Sequence, residues 1–262
     1  MVMKTLTFGM ATGIYSNIES MDNFLTSFRK YSDGTICIVT DSDDEKFISF
    51  LKSFNVEVMR LKNKITAESV MYMRWILPHK VINEQYINKV DYVLLTDTRD
   101  VVFQDDPFQH FNKKGLDLSV ETKKIEDCSL FNAKWMKNIY GEEAYNLTKD
   151  NMILCAGVTG GGTKYALQLC ELMINEHKRL GDTFVDQCYL NLCYAKNKLP
   201  KHRLHYTGEK TVATIGHSFG STTLNEHGFI VGPNNEIPAI VHQYDRHNSI
   251  TKQITERIHI KE

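Results

Sequence analysis

The stretch that most constrains this chain is residues 90–108, VDYVLLTDTRDVVFQDDPF. Residues 92–95 form a short apolar run with the length and flanks of a strand buried on both faces, as in an α/β sheet. The run ends in acid: Asp97 closes it, Asp100 follows across Thr98 and Arg99, and Val101–Phe103 carries the chain away. If residues 96–100 turn, positions three apart come within about 7 Å, so the two carboxylates converge. Converging hard oxygen ligands at the carboxyl end of a sheet suit a divalent cation, Mg²⁺ or Mn²⁺, which in turn holds phosphates. Aspartate also initiates turns through its own side chain, and on these residues alone the two readings stand level. Asp106 before Pro107 has the pattern of an N-cap followed by proline at the first helical position. Asp105 and Asp106 are therefore left outside the expected site.

A chain of 262 residues with 42% hydrophobic content is long enough to bury a large core, and it fits one α/β unit spanning 1–262. Lys plus Arg (31) nearly cancels Asp plus Glu (32), so no net field favours nucleic acid or an anionic membrane as partner. The six cysteines form no C-x-x-C and no Cys/His pairing at zinc spacing, which reads as a set of reduced, buried thiols. The opening residues MVMKTLTFGM lack the pattern of a secretory signal, and no run approaches the roughly 20 apolar residues of a membrane span. The expectation is a cytoplasmic protein with no transmembrane segment, in which the sequon at 146–148 is idle.

Along the chain, strand and helix alternate. Residues 5–10 read as a first strand and 11–17 (ATGIYSN) as the loop leaving it. Ser16 with Glu19, and Ser42 with Glu45, have capping-box spacing ahead of amphipathic helices. Residues 35–40 and 56–61 read as further strands, and a helix capped by Thr66 carries Arg74 and Trp75 before Pro78 kinks or ends it. Three such units running into the acidic strand argue for a Rossmann-like, mainly parallel mixed sheet flanked by helices, with ligands at its carboxyl edge. Thr12, Gly13, Tyr15 and Asp41 become candidates there, although each has an ordinary reading as turn chemistry.

Beyond the acidic turn, residues 116–121 read as a strand, 129–140 as a helix with Trp135 in the core, and 152–158 as a buried strand. That strand runs into Gly157, Gly160, Gly161 and Gly162, where glycine permits close backbone approach to a bulky ligand or serves as a plain connector. A helix beginning at Asp182 carries Phe184, Cys188 and Leu192 as its buried stripe, with Asp186 and Gln187 off it. Residues 202–214 and 228–244 read as short strands with Asn234 and Asn235 turning a small C-terminal β-hairpin. The last apolar strand, from Ile237, delivers His242 and then Asp245, Arg246 and His247.

Taken in order, ATGIYSN, Arg74, LLTDTRDVVF, CAGVTGGG, VDQCYLN and IVHQYDRH resemble the GT-A-fold, metal-dependent glycosyltransferases, most of all the glycogenin and bacterial galactosyltransferase group and capsule-type enzymes. The resemblance covers most of the chain, with D-x-x-D standing where that family has D-x-D. It implies a single GT-A-type domain with a nucleotide-binding half (1–115) and a sugar- and acceptor-binding half (116–262). It also implies sugar transfer from a nucleotide-diphosphate sugar, a UDP- or GDP-sugar, to a hydroxyl of a glycan or small-molecule acceptor. On that footing Asp97, Asp100 and His242 hold Mn²⁺ or Mg²⁺, and Mn²⁺ accepts imidazole the more readily. Arg74 contacts the diphosphate or the donor sugar, Gly157, Gly160 and Gly161 face the sugar, and Arg246 adds positive charge beside the diphosphate. Asp186 hydrogen-bonds a sugar hydroxyl or serves as base. Two other classes stay open: a sugar nucleotidyltransferase, and a non-catalytic carbohydrate-binding module of the same fold.

Overall fold

The computed structural model of the chain describes residues 3–260. β1 (Thr5–Ala11), α1 (Ile18–Tyr31), β2 (Thr35–Thr40), α2 (Glu45–Ser53), β3 (Val56–Arg60), α3 (Ala67–Val81) and β4 (Tyr92–Thr96) succeed one another as alternating strands and helices. β5 (Val101–Phe103), β6 (Leu116–Lys124), α4 (Asn132–Thr148), β7 (Met152–Gly162), α5 (Thr163–Leu180), α6 (Asp186–Ala195) and β8 (His202–Tyr206) come next. One seven-stranded sheet runs β3-β2-β1-β4-β7-β6-β8. Its first four strands are parallel, β7 is antiparallel to both neighbours, and β8 is parallel to β6. This is a Rossmann-like, mainly parallel mixed sheet flanked by helices, and both halves of the chain contribute strands to it.

The strand of the acidic stretch is apolar throughout because it is covered on both sides. Val93 and Leu95 join one core cluster with Trp75, Leu169 and Met173, while Tyr92 and Leu94 join another with Phe24, Phe28 and Phe103. Successive residues thus feed opposite faces, and polarity resumes only where the strand leaves the core. All six cysteines are buried and free. Among the described residues no helix is long and apolar enough to cross a membrane.

The helix starts differ from their expected residues. Asn17, in extended conformation, caps α1 by accepting from Ser20 N at 2.9 Å, while Ser16 turns back and donates to the Gly13 carbonyl. Asp44 caps α2 through Lys46 N, and Ser42 accepts one step earlier, from Asp44 N. In both cases the cap is the residue directly before the first helical one, as the geometry of an N-cap requires. Thr66 caps α3 as expected, accepting from Ser69 N. Pro78 does not end α3; the helix passes through it and loosens into a π turn at Ile82–Tyr86. The helix expected from Asp182 begins only at Asp186, after a short 3-10 turn, Gly181–Thr183.

The glycine run is not a loop. Gly160, Gly161 and Gly162 lie inside β7, Gly160 opposite Leu94 and Gly161 opposite Val93. A Cβ on Gly160 would strike the Tyr92 hydroxyl, one on Gly161 the Gly115 carbonyl at 2.8 Å, and one on Gly162 the Lys113 carbonyl. The missing side chains make room for the protein's own atoms. Gly160→Ala should therefore destabilise the fold by about 1–3 kcal/mol, as overpacking does, since the Tyr92 hydroxyl is buried against Asp117 at 3.1 Å. Chemical denaturation checks it, and an unchanged midpoint would contradict the packing role.

The C-terminal region adds β9 (Val212–Thr214), β10 (Thr223–Leu224), β11 (Ile230–Val231), β12 (Ile240–His242) and α7 (Asn248–His259). The small hairpin joins β10 to β11, so its turn is at 225–228 and not at Asn234 and Asn235. Asn225 Oδ1 accepts from His227 N and Phe229 N, and Gly228 supplies the left-handed residue at φ 76°. Asn235 does turn the chain, at φ 57°, but the strand beyond it is β12, which pairs with β5 and β9 in a three-stranded sheet. That pairing sets His242 opposite Val101, immediately beyond Asp100.

Candidate metal centre and adjoining clefts

β4 ends at Thr96, and the Asp97 N–H then donates to the Gly157 carbonyl of β7 at 2.7 Å. This fixes the first carboxylate at the carboxyl end of the parallel strands. The turn brings Asp100 alongside, and the Asp100 carbonyl accepts from Gln243 N at 2.7 Å. Gln243 is left-handed (φ 62°), an uncommon state for a residue with a side chain, and it turns the chain directly after His242. Among the described residues, one group of His, Cys, Asp and Glu side chains brings three ligand atoms within 4.8 Å of one another: Asp97, Asp100 and His242. His242 Nε2 lies 3.5 Å from Asp97 Oδ2 and 3.7 Å from Asp100 Oδ1. It is buried and has no hydrogen-bond partner, whereas buried polar atoms normally have one. Two carboxylates and an imidazole form a donor set that Mn²⁺ accepts and that suits Mg²⁺ less well, so these residues fit a divalent ion. The Asp97 side chain is 39% exposed and opens the cluster to the adjoining cleft, while Asp100 (6%) and His242 (1%) form its floor.

Charge around the cluster is organised by two arginines. Arg74 reaches from α3 to Asp97 Oδ1 at 2.9 Å, to Asp186 Oδ2 at 3.7 Å and to the Ala156 carbonyl at 3.0 Å. Arg99, within the acidic turn, pairs with Asp100 at 3.2 Å and with Asp245, and its guanidinium lies 5.0 Å from the centre of the Tyr15 ring. Burial by itself raises the Asp97 carboxyl, but Arg74 and then His242 outweigh it and hold the group down at about 2. Asp100 is pushed up, by burial first and by the neighbouring Asp97 charge as well. Burial acts to lower the His242 imidazole, yet the Cys155 sulfur and then the Asp100 and Asp97 carboxylates beside it hold it well above its ordinary value. A divalent ion at these ligands would compete with protons for them. On its far side His242 Nδ1 lies 3.5 Å from the buried Cys155 thiol, which leaves Nε2 facing the carboxylates.

Gly157 is the glycine that meets the site. A Cβ there would sit 2.6 Å from Asp97 Oδ2 and 2.7 Å from His242 Nε2. Gly157→Ala should therefore push aside the Asp97 carboxylate and the buried His242 ring, at some cost in stability, and lose Mn²⁺ binding. Proton relaxation of water in a Mn²⁺ titration reads this; wild-type affinity would remove Gly157 from the site.

The other expected residues divide. Thr12, Gly13 and Tyr15 line a cleft of about 630 Å³ together with Asp97, Asp100, Arg99 and Arg246. Asp41 is placed otherwise: both its oxygens are taken by backbone amides, Gly13 N at 3.0 Å and Ile65 N at 2.9 Å, so it ties two loops of the cleft wall together. Gly160 and Gly161 are not brought to the site, because their space is filled by the protein itself. Asp186, at the start of α6, is buried. It accepts from Trp75 Nε1 at 3.2 Å, its other oxygen faces Gln187 N at 2.7 Å, and burial raises it despite Arg74. Arg246 is exposed and borders both the 630 Å³ cleft and a second cavity of about 340 Å³. A larger cavity of about 720 Å³ opens at the opposite edge of the sheet, around Thr5, Thr35 and Val90, away from the cluster.

Sequence reasoning missed Arg99, Cys155 and Gln243. Arg99 was visible as the one cation inside the acidic turn, between the two expected ligands; nothing in the pattern marked the other two. No family model and no curated protein matches the chain.

Proposed function

We propose that this chain is a metal-dependent glycosyltransferase that moves a sugar from a nucleotide-diphosphate sugar, a UDP- or GDP-sugar, to a hydroxyl acceptor. The observation that carries this reading is the orphaned, buried His242 Nε2 beside Asp97 and Asp100 at the carboxyl edge of a Rossmann-like sheet, where the two aspartates line a cleft of about 630 Å³. Ligands of open α/β sheets bind at that edge, and the cleft is large enough for a nucleotide. Asp97, Asp100 and His242 would hold Mn²⁺ or Mg²⁺, whose chemistry there is to neutralise charge on a departing diphosphate.

The chain's own residues supply the rest. Arg74 offers a planar fork beside Asp97 and is fixed by Asp186 and the Ala156 carbonyl, so it meets phosphate or sugar oxygens already oriented. Tyr15, stacked by Arg99, presents a flat, 43% exposed ring to the cleft that suits a nucleobase. Asp186 is committed to Arg74, Trp75 and Gln187, which supports a role in positioning Arg74 and the donor sugar over a role as proton acceptor. Gly157 leaves room for the Asp97 carboxylate and the His242 ring to converge at the cluster.

Incubation with UDP- and GDP-sugars and Mn²⁺, with and without a panel of glycan acceptors, tests the proposal. Metal-dependent release of free nucleoside diphosphate is expected. Pyrophosphate exchange would point instead to a sugar nucleotidyltransferase, and sugar binding without turnover to a non-catalytic module.

A further inference from the structure

The 340 Å³ cavity beyond Asp186 contains chemistry that the metal cluster does not use. Glu121, on β6, is 3% exposed and lines it, and its Oε2 has no hydrogen-bond partner. His217 Nε2 stands 3.3 Å from that oxygen, outside hydrogen-bond alignment. Gln243, 8% exposed, lines the same cavity with an unpartnered Oε1. Two buried oxygens without an aligned donor thus belong to residues that line one space, and leaving such atoms unpaired costs about 1–3 kcal/mol each.

One wall of this space is aromatic. Phe131 is 51% exposed, and its ring centre lies 5.6 Å from that of Trp135, the planes tilted by 56°. Trp135 is partly buried: it packs against the core cluster of Met136, Cys188 and Leu192, as its helical position implied, and also borders the cavity. An anion is disfavoured by Glu121 and Asp186, and a cation would meet Arg246 at the same cavity. A neutral ring with an apolar C–H face and a rim of hydroxyl donors satisfies both the wall and the floor.

We propose that this cavity is a pyranose-binding subsite: the sugar ring packs on Phe131 and Trp135, and its hydroxyls donate to Glu121 and Gln243. It rests on the glycosyltransferase reading only in identifying that sugar as the acceptor's. Arg246 borders both the subsite and the cleft of the metal cluster, which puts an acceptor hydroxyl and a donor at adjoining spaces.

Saturation-transfer NMR on the whole chain tests this, with the methyl glycosides of glucose, galactose, mannose and N-acetylglucosamine as probes. Wild-type protein should transfer saturation to at least one of them, and Glu121→Gln and Phe131→Ala should each weaken that binding by about tenfold. Phe131 is at the surface, so its variant carries the test even if Glu121→Gln fails to fold. Absence of transfer to all four glycosides, or equal binding in wild type and Phe131→Ala, overturns the subsite. A protein that binds a methyl glycoside there but no UDP or GDP with Mn²⁺ keeps the subsite and loses the transferase reading; the reverse pattern loses the subsite alone.

Discussion

Asp97→Asn and Asp100→Asn should each fold and each lose Mn²⁺-dependent binding of UDP or GDP by about a hundredfold or more. The size reflects the groups removed: even partners outside the ligand set are worth about 10–100-fold in metal affinity, and these carboxylates would be ligands. The fold should survive for different reasons at the two positions. Asp97 is 39% exposed, and its loss leaves Arg74 paired to Asp186 and the Ala156 carbonyl. Asp100 is buried, but Arg99 keeps Asp245, and the Asp100 carbonyl still accepts from Gln243 N. Calorimetric titration reads the affinity and circular dichroism the fold. Wild-type Mn²⁺-dependent binding in both variants would sink the metal-site assignment.

The second large effect belongs to Arg74, where Lys and Ala should part. The guanidinium bridges Asp97 and Asp186 with a side chain only 19% exposed, and both carboxylates hold its charge, against the lowering effect of burial. Removing one partner of a buried ion pair costs about 3–5 kcal/mol. Arg74→Ala leaves two carboxylates facing a void, so it should destabilise by about 3 kcal/mol, the lower end because Asp97 is partly open to water. Arg74→Lys keeps the charge but lacks the fork, so it should hold most of the stability and lose at least about tenfold in diphosphate binding. Equal melting of Arg74→Ala and wild type would return the residue to a surface role.

Much of the framework was legible in the sequence because it is written in periodicity. Buried strands such as residues 92–95 and the stripe of α1 announce themselves through apolar spacing, and the convergence of Asp97 with Asp100 comes from a turn three residues wide. His242 was reachable only by combining ligand chemistry with a resemblance, since it joins the cluster through β12 pairing with β5, a long-range contact that no local pattern encodes. The glycines mislead for a related reason: a run of three is the signature both of a ligand-facing loop and of a crowded strand. The deciding atoms are the Tyr92 hydroxyl and the carbonyls of Lys113 and Gly115, which reach β7 from elsewhere in the chain. Asp41 was correctly placed at the carboxyl edge by its strand, but its two backbone donors, Gly13 and Ile65, could not be read from sequence. Glu121 gave no signal at all, because an acid in an amphipathic strand normally faces water.

The most direct measurement is the linkage between Mn²⁺ and nucleoside diphosphate in one thermal-shift panel: UDP, GDP and CDP, each with and without Mn²⁺, on wild type and His242→Ala. If the cluster holds a cation that holds a diphosphate, at least one nucleotide at about 100 times its dissociation constant should stabilise the wild type by roughly 2.7 kcal/mol, and only with Mn²⁺ present. His242→Ala should lose that dependence, the imidazole being the ligand that no local sequence pattern supplies. A wild-type protein whose melting responds to none of the three nucleotides with Mn²⁺, or responds equally without it, would contradict the metal-diphosphate site on which the proposed activity stands.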